Sequence, residues 1–482
     1  MDASLLEQRL QALRVYSALS ETAVSILGEY IRNASDIQLF RINPITFGAI
    51  HGLSEQEAID LFIHSAKVGL FDFSYNLLCL ACGGVTHTHY QLDEINNEDF
   101  YCALCNMHLP TAIDDQVEVS FTINPSIKKL GLTPSANLES YFAYHFSENI
   151  QKAPELISVR NSLIKGYVFI EPDQYENITV NSQEYPSFQL VSIEKNSSCF
   201  IYFDKGEGKL REKPETLEIN IHPKGLAPGQ IHVANGVYSI RINNLTKFGV
   251  GILLITPDLE KIMAVVEKRP NVIKPFFTAK MLLNNQSFRE LFRLQQLSEN
   301  LNLNIQSLTI LFTDLKGSTD MFDKAGDIYA HEIIQEHFKV LTDSVRKRSG
   351  AVIKTMGDAI MASFSSPLEG FNAALDMLQA INQLNHKIKD SNYKLGIKIG
   401  INSGPALAVL ADERLDYFGQ SVNIAARVQA LADEGEIWIT DSVFQTPNID
   451  HYILEQGYSY QKRYARLKGV GQEATVYKIF KN

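Results

Sequence analysis

The sequence predicts a multidomain α+β chain with a helical N-terminal part, a β-rich middle and a C-terminal part in which strands and helices alternate. Three observations carry this. The chain has 482 residues, room for about three domains at roughly 150 residues each. Helical periodicity in the first hundred residues gives way near residue 115 to short strand-like pieces, and from Leu308 onward buried-strand and amphipathic-helix patterns alternate. Hydrophobic residues make up 45% of the chain and charged residues 21%, which excludes a disordered or fibrous chain.

The charge narrows the function. With 44 Lys plus Arg against 55 Asp plus Glu the formal charge is −11, which argues against a broad nucleic-acid surface. Residues 301–482 carry 19 basic and 21 acidic side chains and the first 300 carry 25 and 34, so the acidity is N-terminal. No apolar run approaches the roughly 20 residues that span a bilayer, and MDASLLEQRL lacks the basic-then-apolar order of a signal peptide. A soluble cytoplasmic protein, with no membrane partner, is expected.

Residues 1–113 are expected to form a helical, winged-helix-like part carrying a zinc ribbon over 79–105. Ser54 stands three residues before Glu57, a capping box opening a helix with Ala58, Leu61, Phe62 and Ala66 on one face. Helix, turn, second helix ending in Gly, then an extended stretch is a winged-helix order. Such units often bind DNA, but the acidic balance favours a protein-contact or scaffold role. Four of the five cysteines fall in two pairs, Cys79/Cys82 and Cys102/Cys105, with 19 residues between the pairs. Structural zinc, a redox pair and a catalytic metal compete for these thiols. Four cysteines close a tetrahedral shell and favour structural zinc. His87, His89 and His108 read as surface histidines beside the ribbon, able to replace a ligand, and Cys199 as a lone buried thiol.

Residues 114–280 contain VEVSFTINP, YVFIEP, FQLVSIE, CFIYFD, LEINIHP, GVYSIRINN and GILLITP, alternating pieces bounded by Pro or Gly that predict a β-sandwich-like domain. Residues 281–306 are expected to be a connector helix, with Phe288, Leu291, Phe292, Leu294 and Leu297 on its apolar side.

The chemistry lies in residues 307–482. LTILFTDL ends a buried strand in Asp314 and runs into KGST. Backbone N–H groups around Gly317, Ser318 and Thr319 would face a polyphosphate at a helix N-terminus, and Asp314 would hold a divalent ion beside it. In SGAVIKTMGDAIMASF two strand-like segments flank Met356-Gly357-Asp358 as a tight hairpin. Alone, Asp358 is ordinary turn chemistry; beside Asp314 it completes a two-ion site. In LDYFGQSVNIAARVQALA, Asn423 and Arg427 stand four apart on a predicted helix. An amide and a guanidinium projecting together suit a ribose and a phosphoryl oxygen gaining charge in the transition state.

Together FTDLKGST, IKTMGDA and DYFGQSVNIAARV resemble the class III nucleotide cyclases, the catalytic domain of adenylate and guanylate cyclases. The resemblance covers about 307–482, and the upstream order of zinc knuckles, β region and connector is similar to an N-terminal module on some bacterial cyclases. It implies a ferredoxin-like βααββαβ fold and two Mg2+ or Mn2+ ions on Asp314 and Asp358. It also implies attack of the 3′-hydroxyl on the α-phosphate with release of pyrophosphate, Asn423 on the ribose and Arg427 on the α-phosphate. Lys468 in LKGVGQ stands where the family places a phosphate-contacting lysine. Lys354 and Asp416 stand where the family places its base readers; a cation for N1 and a carboxylate for the 6-amino group fit adenine, so ATP is favoured over GTP. One chain carries both halves of a site that the family builds between two domains, which implies a homodimer through this domain. The alternatives are a cyclase for GTP or a pyrimidine nucleotide, and a non-catalytic nucleotide sensor or DNA-binding regulator.

Overall fold

A computed structural model describes residues 1–95, 100–109, 113–204, 211–292, 302–316, 327–387, 394–411, 414–468 and 473–481. Four helices open the chain: α1 (Ala3–Arg14), α2 (Glu21–Asn33), α3 (Pro44–His51) and α4 (Glu55–Lys67). Asp2, Ser20, Asn43 and Ser54 cap them, each side chain accepting from a backbone N–H of the first turn. The capping box read from Ser54 and Glu57 forms in full. Their apolar faces bury Leu6, Leu10, Val24, Leu27, Ile31 and Phe62 against an antiparallel sheet of β1 (Phe71–Leu78), β2 (Val85–His89) and β3 (Val117–Ile123). Strand β3 is VEVSFTI, expected in the β-rich middle. It pairs instead with β1, from Phe71↔Ile123 to Leu77↔Val117, because its apolar residues complete the core under α4.

Two helices, Leu138–His145 and Pro154–Leu163, precede a sandwich of a five-stranded and a four-stranded sheet between Ile164 and Ile255. Its interior is apolar, built from Leu190, Ile201, Ile219, Ile240 and Ile252 among others, and takes in Cys199.

The expected connector helix over 281–306 is not one helix. It begins as two short ones, α5 (Ala279–Leu283) and α6 (Gln286–Leu291), broken at Asn284 and Asn285, where the Asn285 side chain caps α6. Residues 293–301 lie outside the described residues, and Asn302 already begins a strand. That strand, β4 (Asn302–Lys316), starts six residues earlier than the pattern at Leu308 suggested.

The C-terminal sheet runs in the order β5-β6-β4-β7-β9-β11-β10, with β8 paired to β7. Its strands are β5 (Ala351–Met356), β6 (Ala359–Phe364), β7 (Gly396–Ala411), β8 (Arg414–Phe418), β9 (Ile437–Thr440), β10 (Tyr458–Ala465) and β11 (Ala474–Lys481). Helices α7 (Asp327–Lys347) and α8 (Pro367–Lys387) cover one face, over Leu311, Ile360, Ala362, Phe364, Ile399 and Ile401. The opposite face presents Leu308, Ile310, Phe312 and Met361, together with Ala425 of α9 (Gln420–Gln429). It belongs to the same apolar cluster as Phe62, Phe121, Leu283 and Phe288 of the N-terminal unit. The two parts therefore share one core.

At that junction β4 bulges between Ile305 and Leu308. The two amides released there, of Gln306 and Ser307, each donate to the Asp114 carboxylate at 2.9 Å, and Lys280 pairs with the same group at 3.2 Å. Asp114 is only 4% exposed, so the bulge depends on this one buried acceptor.

Among the described residues no helix is long and apolar enough to cross a membrane.

Candidate active site

Asp314 lies two residues beyond the last β4–β6 pair, Phe312↔Met361, and Asp358 three residues before Met361, so both carboxylates come to the same end of neighbouring strands. Gly357, at φ +63°, makes the β5–β6 turn that carries Asp358. Two contacts hold this end. Thr313 Oγ1 accepts from the Ile360 N–H at 3.1 Å, and His337 Nε2 lies 3.2 Å from the Asp358 carbonyl oxygen. Because a carbonyl oxygen only accepts, Nε2 is the donor; burial in α7 lowers the His337 pKa, and Nδ1 has no partner among the described residues. Nothing in the local sequence marks His337, which reaches the turn from 21 residues upstream. Across β4 and β7, Lys398 Nζ stands 3.6 Å from Asp314. Gly317, Ser318 and Thr319, read as the phosphate loop, lie outside the described residues.

Lys354 and Asp416 meet directly, with Nζ 2.6 Å from Oδ2. Lys354 reaches this face because of a bulge: Val352 pairs with Ala362 but Lys354 pairs with Met361, leaving Ile353 extra. Regular pairing would set Lys354 opposite Ile360, which faces the helix-covered core. The extra residue turns Lys354 to the opposite face. Asp416, on β8 opposite Val409, also accepts from the Tyr417 N–H at 2.8 Å, which fixes its rotamer.

Asn423 and Arg427 stand one turn apart on α9, Asn423 exposed and Arg427 half-buried. Neither side chain makes a hydrogen bond or ion pair among the described residues. Helix α9 can lie this close to β7 because Gly400 has no side chain; a Cβ there would come within 2.1 Å of the Gln429 backbone nitrogen. Asn402 Nδ2 donates to the Ser421 carbonyl at 2.9 Å and holds the first turn. Lys468 is exposed in the turn after β10, and among the described residues no hydrogen bond or ion pair joins it to another candidate residue.

Away from this face, the Sγ atoms of Cys79, Cys82, Cys102 and Cys105 all lie within 4.8 Å of one another. Cys79–Cys105 and Cys82–Cys102 are each 3.8 Å apart. A tetrahedral zinc–thiolate centre with bonds of about 2.3 Å has sulfur–sulfur edges of about 3.8 Å, so the donor set fits zinc in both chemistry and size. His87 and His89 stack on each other, and His108 packs against Tyr101. A cavity of about 450 Å³, lined among others by Tyr30, Arg41, Asn43, Phe47, Glu118 and Lys274, opens elsewhere in the N-terminal unit.

Two family models together cover most of the chain. Residues 302–479 match the family described as the adenylate and guanylate cyclase catalytic domain, and they form a class III nucleotide cyclase domain. Residues 4–290 match the family of unknown function DUF5939, and the chain belongs to that family. The chain is 28% identical over 160 residues to putative adenylate cyclase 3 of Rhizobium meliloti (strain 1021), covering 33% of this chain and 26% of that protein. It is 26% identical over 187 residues to an adenylate cyclase of Anabaena cylindrica, covering 36% of each. The chain thus spans about a quarter to a third of the length of these relatives. The crystal structure of the adenylyl cyclase CyaB from P. aeruginosa aligns at a TM-score of 0.33 and 19% identity, over 38% of this chain and 96% of that one.

Proposed function

We propose that the protein is an adenylate cyclase that converts ATP to 3′,5′-cyclic AMP and pyrophosphate. The observation that carries this reading is the Lys354–Asp416 pair, a donor and an acceptor 2.6 Å apart on the face that α9 shares. An adenine separating them would receive a hydrogen bond at N1 from Lys354 and donate one from its 6-amino group to Asp416; guanine reverses both demands.

The roles of the remaining residues follow from their chemistry. Asp314 and Asp358 would hold two Mg2+ or Mn2+ ions, which when bound supply activation of the 3′-hydroxyl and neutralisation of the phosphates. Asn423 would orient the ribose so that O3′ stands in line with the α-phosphorus. Bond formation there breaks the bond to the β-phosphate oxygen, and Arg427 would receive the charge on the α-phosphoryl oxygens. Lys468 and the loop of Gly317, Ser318 and Thr319 would contact the β- and γ-phosphates. Because one chain holds both residue sets, the working form is a homodimer through the cyclase domain. The four thiolates would carry structural zinc in a ribbon beside a winged-helix-like scaffold, and the N-terminal unit would regulate the cyclase.

The test is turnover by the purified full chain with Mn2+ and, separately, ATP, GTP, CTP and UTP, the products being separated by chromatography. Cyclic AMP is expected to form fastest, and Asp314→Asn or Asp358→Asn should lower its rate by about a hundredfold or more with the melting temperature retained. Faster formation of another cyclic nucleotide would replace the base assignment. Full activity in both Asp variants would remove the two-ion site.

A further inference from the structure

We infer that Arg289 and Gln286, which lie in the N-terminal unit and outside the cyclase domain, are positioning residues for the base-recognition pair Lys354 and Asp416. The inference rests on the adenylate cyclase reading, in which that pair meets adenine.

Strands β5 and β8 share no ladder; β6, β4 and β7 lie between them. The two base readers therefore hang from separate strands, and their spacing depends on what ties those strands together. Helix α6 does so from outside the domain. Gln286 Oε1 accepts from the Val352 N–H at 2.9 Å, at the last regular pair before the bulge that turns Lys354. Arg289 Nη2 donates to the carbonyl of Leu415, the residue before Asp416, while Nη1 donates to the Leu283 carbonyl at 3.2 Å. The guanidinium thus joins the strand of Asp416 to the backbone of the N-terminal unit. It lies 5.9 Å over the Tyr417 ring.

The joint is buried around Tyr417 and closed by further polar contacts. The Tyr417 hydroxyl stands 3.3 Å from both the Leu283 carbonyl and Asn284 Oδ1, and Ser363 Oγ donates to the same Oδ1 at 2.5 Å. Asn284 and Ser363 have no exposed surface and Tyr417 has 1%. Arg289 forms no ion pair with a carboxylate among the described residues, so its donors remain committed to backbone carbonyls on either side of the joint. A displacement of α6 would reach both base readers through backbone hydrogen bonds, while the strand ends of Asp314 and Asp358 have their own supports in Thr313 and His337.

The experiment compares the full chain with Arg289→Met, Arg289→Lys, Gln286→Leu and, as a control elsewhere in the N-terminal unit, Glu155→Gln, whose exposed carboxylate pairs with Arg269. Rates are measured with ATP and with inosine triphosphate, which carries oxygen in place of the 6-amino group. Loss of the charged hydrogen bond in Arg289→Met should raise the KM for ATP about tenfold, leave kcat within about threefold and lower the preference for ATP over inosine triphosphate about tenfold. Arg289→Lys should recover part of the preference, Gln286→Leu should lower it in the same direction, and Glu155→Gln should match the parent. A purely structural role would reduce both nucleotides alike and leave their ratio unchanged. A parent-like ratio and KM in both Arg289→Met and Gln286→Leu overturns the inference. If Arg289→Met does not fold, Gln286→Leu decides alone. If the parent chain turns over neither nucleotide, the cyclase reading fails instead, and equilibrium binding of ATP and inosine triphosphate to parent and variants then decides whether α6 positions the pair.

Discussion

The Lys354 ammonium stands 2.6 Å from the Asp416 carboxylate although the two residues occupy strands with no shared ladder. The side chains are 41% and 14% exposed, so solvent screens the pair and its net contribution to stability is small, about 1 kcal/mol or less. Its arrangement is better accounted for by what it can bind. Lys354→Ala and Asp416→Ala should therefore each lower kcat/KM for ATP by roughly ten- to a hundredfold while leaving the melting temperature nearly unchanged. Steady-state kinetics beside thermal melting checks this, and a large loss of stability with unaltered kinetics would contradict it.

Asp114 carries a different load. It accepts from two backbone amides of the β4 bulge and pairs with Lys280, whose side chain is 13% exposed. Asp114→Ala leaves two buried donors and a cation without their acceptor, at an expected cost of about 2–4 kcal/mol. Urea unfolding should show the lower midpoint, whereas Asp114→Asn, which keeps one acceptor oxygen, should lose less.

The cysteine cluster predicts about one zinc per chain, read by elemental analysis of protein purified without added metal. Cys102→Ser should lose the metal and lower the melting temperature. A chain with less than a tenth of an equivalent of zinc and parent-like stability would rule out a structural metal.

His145 predicts an acid-side loss of stability. Burial, reinforced by the positive charge of Arg41, holds its pKa down at about 3, against an ordinary 6.5. The other groups around it are the rings of Tyr141 and Tyr144 and the Glu194 carboxylate, 3.9 Å away, whose own pKa burial raises. As pH falls from 6.5 towards 3 the unfolded chain takes up a proton that the folded chain refuses. Stability from this group is therefore intact above 6.5 and declines through that window. Replacing it by a group that does not titrate, His145→Gln, should flatten the dependence of unfolding free energy on pH by about one proton, measured by denaturant titrations at pH 7, 6, 5 and 4.

What could be read in the sequence was what is encoded within a few residues. The Ser54–Glu57 box, the paired cysteine spacing and the Gly357–Asp358 turn each combine a residue type with a short offset, and each forms at the position read. Features set by distant partners were not legible. Strand β3 looked like the start of the sandwich because its own alternation says nothing about pairing with β1, more than forty residues earlier. The apolar side of α6 looked like the face of a longer connector, but Asn284 and Asn285 break the helix where their side chains meet Ser363, Tyr417 and Asp60. His337 and Arg289 escaped notice for the same reason, since each acts on backbone atoms far away in sequence.

The extra residue in β5 lets the two ends of one strand keep different registers. Ala351 and Val352 are set by Ser363 and Ala362, while Lys354, Thr355 and Met356 are counted from the turn against Met361, Ile360 and Ala359; Ile353 takes up the one-residue difference. A related chain without the extra residue would keep both sets of pairs, so aligning the two sequences requires a one-residue gap at this position. Without that gap, every residue on one side of it would be assigned to the wrong face of the sheet.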